Sequence, residues 1–141
     1  MMKKILYFLL IIPIFLIAGL NVSKVTNVLT SIKSTNPLKF FNANKNINLN
    51  GKLNLTSFEN ANVVLFSNRI SKNKLNIVNS YKALRTNKNS IGAIYVKKGR
   101  TQIVFIEERL QKNGLSLPSS FNKNLLSECQ LNPICLLESI K

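Results

Sequence analysis

Lys97, Lys98 and Arg100 surround Gly99, and Arg85 and Lys88 stand a short way upstream. A glycine at a turn can aim backbone N–H groups outward, and flanking cations add charge-assisted donors. Together they suit a phosphate or a carboxylate. These six residues (Arg85, Lys88, Lys97, Lys98, Gly99 and Arg100) are therefore the candidate binding residues. The same run also fits an ordinary turn with solvated charges. It is no phosphate-binding loop of the G-x-x-x-x-G-K-[ST] kind.

Catalytic chemistry finds little to work with. The chain has no His, Asp or Trp, and its acids are Glu59, Glu107, Glu108, Glu128 and Glu138. Without histidine there is no imidazole base, no Ser/His or Cys/His nucleophile pair and no imidazole metal ligand. Adjacent Glu107 and Glu108 diverge on a helix or a strand, so they make a poor acid/base pair. Two glutamates opening a helix favour the macrodipole, which is the plainer role. The expectation is a chain with no catalytic residues, no metal site and no cofactor.

Cys129 and Cys135 stand in ECQLNPIC. One continuous helix would put them on different faces, but Asn132-Pro133 signals a turn that can bring them together. In an oxidising compartment they read as a disulfide. The spacing is not the C-x-x-C of a redox pair, and two thiols alone make a poor metal site.

The compartment follows from the start of the chain. Lys3 and Lys4 precede an apolar run over residues 5–18. A basic stretch followed by such a run is the layout of a secretory signal or an N-terminal membrane anchor. The run is short for a full span, which needs about 20 residues. Both readings of residues 1–20 send the remainder across the membrane, to the periplasm or to the periplasmic face of the inner membrane. If the leader is uncleaved, residues 5–20 hold the chain in the membrane.

Residues 21–46 read as a stalk and residues 47–141 as one small domain. In the stalk, Val22, Val25, Val28, Leu29 and Ile32 recur at helical spacing, and Asn36-Pro37 should end that helix. Residues 47–55 alternate apolar with polar and read as a strand or loose hairpin. Residues 62–66 are a continuous apolar run, which suits a strand buried on both faces. Ser71 can cap a helix over residues 71–85, with Leu75, Val78, Tyr81 and Leu84 in one stripe. Residues 90–107 read as two strands joined tightly at Lys98-Gly99. A short helix over 107–113 stops at Gly114, and a last helix capped by Ser119 or Ser120 carries Phe121, Leu125, Leu126 and Cys129. Phe66, Tyr81, Tyr95 and Phe105 fall inside these elements, as core aromatics would.

The fold class is thus α/β or α+β. It is a small single domain with a mostly buried sheet, a β-hairpin and packed helices, preceded by a hydrophobic leader helix. The βαββ order around NVVLFS and IGAIYVKKGR resembles a fragment of a periplasmic solute-binding lobe. No ligand motif accompanies that likeness, and likeness of fold carries no function.

The net charge of the 141-residue chain is +15. It will draw polyanions in a salt-dependent way. AT-rich coding, which favours Lys, Asn and Ile together, yields the same composition, so specific nucleic-acid binding is not implied. The expectation is an exported or membrane-anchored envelope protein, a non-enzymatic binding module for an anionic ligand or an envelope protein partner. The rival expectations are a basic secreted effector acting on a polyanion and a structural subunit of a membrane complex.

Overall fold

A computed structural model describes residues 19–132 and 135. The apolar leader and most of the C-terminal tail lie outside the described residues. The fold is α+β, built on a mixed six-stranded sheet.

The first element among the described residues is α1 (Val22–Ser31). The Asn21 side chain caps it by accepting from the Lys24 amide, at 3.1 Å. Its apolar stripe is the one the spacing marked. Val25, Val28, Leu29 and, just past its end, Ile32 are buried in the larger of two core clusters. Residues 21–46, read from sequence as a stalk, therefore supply both a core helix and a sheet strand.

Two-residue β1 (Lys33–Ser34) pairs antiparallel with β7 (Leu115–Ser116) as a separate ribbon. The main sheet runs in the order β2 (Phe40–Asn42), β3 (Val63–Leu65), β4 (Leu75–Val78), β5 (Ser90–Lys97), β6 (Arg100–Ile106), β8 (Leu125–Leu126). Strands β2 to β5 are mutually parallel, β6 is antiparallel to β5, and β8 is parallel to β6. The central strands are buried on both faces, which explains their near-continuous apolar runs. One face holds Val63, Leu65, Ile77, Ile103 and Phe105 against α1. The other holds Val78, Ala93 and Ile106 against Leu84 and Leu131.

Three sequence expectations are corrected. Residues 47–55 are not a strand. They are turns within the β2–β3 crossover, joined to the sheet's backbone by an isolated bridge between Leu55 and Phe40. The apolar alternation did pick out inward side chains, since Leu49 is buried and Leu53 and Leu55 pack on the core. Asparagines in the segment and just ahead of it decided the backbone. Asn42, Asn44 and Asn48 each accept from the amide two residues on, the bond that bends a chain into an Asx turn.

Likewise residues 71–85 are not one helix. They hold β4 and a six-residue helix, α2 (Tyr81–Thr86), capped by Ser80 rather than Ser71. Spacings of three fit a helix stripe, but Leu75-Asn76-Ile77-Val78 is also short enough to be an interior strand. Its neighbours β3 and β5 hold it extended on both sides. Fully buried Asn76 closes the turn before it, accepting from the Ser71 amide and donating to the Ser71 and Lys74 carbonyls.

The hairpin follows the expected plan. Lys97 pairs with Arg100 across a two-residue turn. Lys98 and Gly99 have φ of 51° and 75°, the double left-handed geometry that matches strand twist. Helix α3 (Glu107–Lys112) opens with its two glutamates, and Gly114, at φ 70°, follows its end. The expected last helix is instead a 3₁₀ turn (Ser119–Asn124), then β8, then a four-residue helix, α4 (Glu128–Leu131), capped by Ser127. Leu125 and Leu126 add a parallel edge to β6, which interrupts the helix their spacing suggested. Cys129 and Cys135 are joined in a disulfide with Cα atoms 4.9 Å apart.

Candidate functional site

Strands β2 to β5 all begin at the same end of the sheet, here called the root. The hairpin turn lies at the other end, the tip. Seven residue steps along β5 separate them, about 23 Å at 3.3 Å per residue. The six candidate residues divide between these ends. Lys97, Lys98, Gly99 and Arg100 sit together at the tip, all exposed. Helix α2 returns the chain toward the root, so Arg85 in its last turn and Lys88 just before β5 lie away from the tip.

At the root, Lys88 joins residues that the sequence pattern did not mark. A cavity of 460 Å³ is lined by Lys72, Lys74, Lys88, Lys112 and Arg109, with Asn62, Asn73, Asn89 and Asn113 between them. Leu75 and Ile91 supply its apolar part. No carboxylate is among its lining residues. The loops ahead of β4 and β5 and the C-terminal end of α3 bring the cations together, because β4 and β5 start, and antiparallel β6 ends, at the root. Each of those three segments carries the dipeptide Lys-Asn (72–73, 88–89 and 112–113). The same dipeptide recurs at 45–46 and 123–124, outside the cavity, so topology rather than the motif selects these three.

Two of the five cations are tied into the fold. The Lys74 ammonium donates to the Ala61 carbonyl at 2.6 Å and lies 4.8 Å from the Phe58 ring centroid. Arg109 is a staple. Its Nε and Nη2 grip the two oxygens of Glu128 at 2.6 and 3.2 Å. Its Nη1 donates to the carbonyls of Leu84, Asn87 and Ser90 at 2.9, 3.2 and 2.8 Å. The Arg109 side chain is 7% exposed and that of Glu128 42%, so only one partner of the pair is buried. Those carbonyls end α2 and begin β5, where a helix leaves acceptors unmatched. The ion pair ties α4 to the same point.

Lys72, Lys88 and Lys112 remain, exposed and without a side-chain partner among the described residues. The Asn73 and Asn89 amides stand beside them. Asn62 and Asn113 are occupied by backbone partners. Three ammonium groups around a polar basin can hold a multiply charged anion. Among the described residues, no group of three or more Cys or Glu side chains gathers to hold a metal ion.

At the tip the surroundings differ. The Asn21 amide donates to Thr101 Oγ1 at 2.8 Å, and the Lys24 ammonium donates to the Thr101 carbonyl at 3.1 Å. The N-terminal end of the described chain is thus fastened to the hairpin turn. A cavity of 380 Å³ between them is lined by Gly19, Asn21, Lys24, Gly99, Arg100 and Thr101. Of the expected core aromatics, Phe66 and Phe105 are buried, whereas Tyr81 and Tyr95 are partly exposed. Partial burial, and then the neighbouring Tyr81 phenol, push the Tyr95 phenol above the usual tyrosine range. Among the described residues no helix is long and apolar enough to cross a membrane.

The chain matches no protein-family model, no curated protein and no solved structure.

Proposed function

We propose that this is an envelope protein, exported or held at the periplasmic face of the inner membrane by residues 1–20. It acts as a binding module for an anionic partner and carries out no reaction of its own. The observation that supports this most directly is the root cavity. Lys72, Lys88 and Lys112 converge there from three segments, while Arg109 and Lys74 are already neutralised or anchored. Untied ammonium groups beside amides recognise clustered negative charge, such as adjacent phosphates or carboxylates. The lack of histidine and aspartate supports a role without turnover.

The test uses the full chain in detergent and a fluorescein-labelled short polyphosphate. Binding should weaken steadily with added salt, as expected for exposed charges. The triple variant K72E/K88E/K112E should bind at least about tenfold more weakly, since three reversals each act on the order of 1 kcal/mol. Equal binding by that variant sinks the cavity as the site. Cleavage of the probe, or of added DNA or RNA, would favour a secreted effector instead.

A further inference from the structure

We infer that the β5–β6 tip is a lipid-headgroup contact that seats the folded domain, tip down, on an anionic bilayer. The inference rests on the reading of residues 1–20 as an uncleaved membrane anchor. It adds what the folded part does at that membrane.

The first support is where the chain joins the fold. The hydrogen bonds from Asn21 and Lys24 to Thr101 fasten the start of α1 to the hairpin turn. Only Gly19 and Leu20 lie between that fastening and the apolar run. Three Cα steps separate Ala18 from Asn21, a reach of at most about 11 Å. That is close to one Debye length, about 8 Å at physiological salt. A chain held by its leader therefore brings the tip, and not the root, within range of the membrane surface potential.

The second support is the chemistry presented there. Lys24, Lys97, Lys98 and Arg100 are all exposed at this end. The nearest acids along the chain are remote. None precedes Glu59, while Glu107, Glu108 and Glu128 lie at the root end of β6. Just ahead of Lys97, Val96 is 43% exposed, one of two large apolar side chains left in solvent among the described residues. It lines a small cavity with Leu20 and partly exposed Tyr95. An apolar side chain and a tyrosine next to a cationic turn suit the headgroup layer, where the rings and methyls sink and the ammonium groups meet phosphate. A turn that was merely solvated would need neither the exposed valine nor the attachment to α1.

The experiment places an environment-sensitive fluorophore on Val96→Cys, with Asn113→Cys at the root as reference. The two native cysteines are oxidised and do not react. The full chain is reconstituted with vesicles of phosphatidylcholine alone, or with an equal amount of phosphatidylglycerol, and floated on a gradient. Flotation with both vesicles reports the leader. The label reports the tip. The expected result is a blue shift and quenching by spin-labelled lipid at residue 96 in the anionic vesicles, and neither at residue 113. Both signals should vanish in 1 M salt, where the Debye length falls to about 3 Å. They should also vanish in K97E/K98E/R100E, whose flotation and melting temperature stay unchanged. Equal signals at 96 and 113, or a signal at 96 that survives the reversals, overturns the inference. If the chain floats with neither vesicle, the leader reading fails and this inference falls with it. Flotation with anionic vesicles alone, lost on charge reversal, would keep the tip contact and remove the anchor.

Discussion

Arg109 and Arg100 belong to neighbouring elements and do opposite things. Arg109, at the root, is enclosed, ion-paired and bonded to three carbonyls of the chain itself. Arg100, at the tip, is exposed and has no side-chain partner among the described residues. Arg109 turns its charge into cohesion, whereas Arg100 leaves its charge in solvent. The difference shows why net charge alone is a poor guide to function in this chain. What matters is which cations the fold has already consumed.

The sharpest way to break the comparison is at Arg109. Arg109→Ala should cost about 3–5 kcal/mol, because it strands Glu128 and leaves buried carbonyls without donors. Thermal unfolding would register this as a fall of about 10 °C or more. Glu128→Gln should cost less, since the Glu128 side chain is 42% exposed. A melt indistinguishable from the parent for Arg109→Ala would end the idea of a structural staple.

Gly92 tests the root from inside the hairpin. It faces Phe105 across the ladder, and an added Cβ would lie 2.6 Å from the Phe105 ring and 2.7 Å from the Val104 carbonyl. A backbone oxygen cannot rotate away, so β5 and β6 must part. Gly92→Ala should destabilise by about 2–3 kcal/mol in urea titration.

The disulfide sharpens the same comparison more gently. It holds α4, whose Glu128 grips Arg109. Replacing both cysteines by serine should remove about 2 kcal/mol, as a short closed loop predicts. In a double-mutant cycle with Arg109→Ala the losses should be less than additive, because both act through α4. Full additivity would separate the clasp from the staple.

Changes at the tip should be the mildest. Gly99→Ala forces an alanine to φ near 75° and should cost about 1 kcal/mol. Lys98→Asn, which suits φ near 51°, should gain a few tenths of a kcal/mol by the usual turn preference. A large loss from either would show that the tip also holds the fold together.

Much of this architecture was legible because local signals agreed with the fold. Lys98-Gly99 asked for a tight turn, Glu107-Glu108 and Gly114 bracketed a helix, and Val25, Val28 and Leu29 marked a buried face. Legibility failed where one pattern fitted two periods. Leu75, Val78, Tyr81 and Leu84 serve a helical stripe as well as a strand followed by a separate helix, and only the flanking strands β3 and β5 decide between them. It failed again where side chains competed with the backbone, as at Asn42, Asn44 and Asn48. Four of the six candidate binding residues, at 97–100, were found together because they are contiguous. Lys72, Lys88 and Lys112 are neighbours only because parallel strands β4 and β5 start where antiparallel β6 ends and passes into α3, which no short window of sequence records.

The attachment of Asn21 and Lys24 to Thr101 also has a mechanical meaning. A pull on the chain ahead of Gly19 enters the domain at the tip, whereas the only disulfide closes at the root. Covalent reinforcement and tension therefore never share a path. The load falls on α1, held there by side-chain packing and these two bonds, before it reaches the six register pairs of β5 and β6. The expected order under tension is loss of the first helix before the sheet, which single-molecule pulling would show.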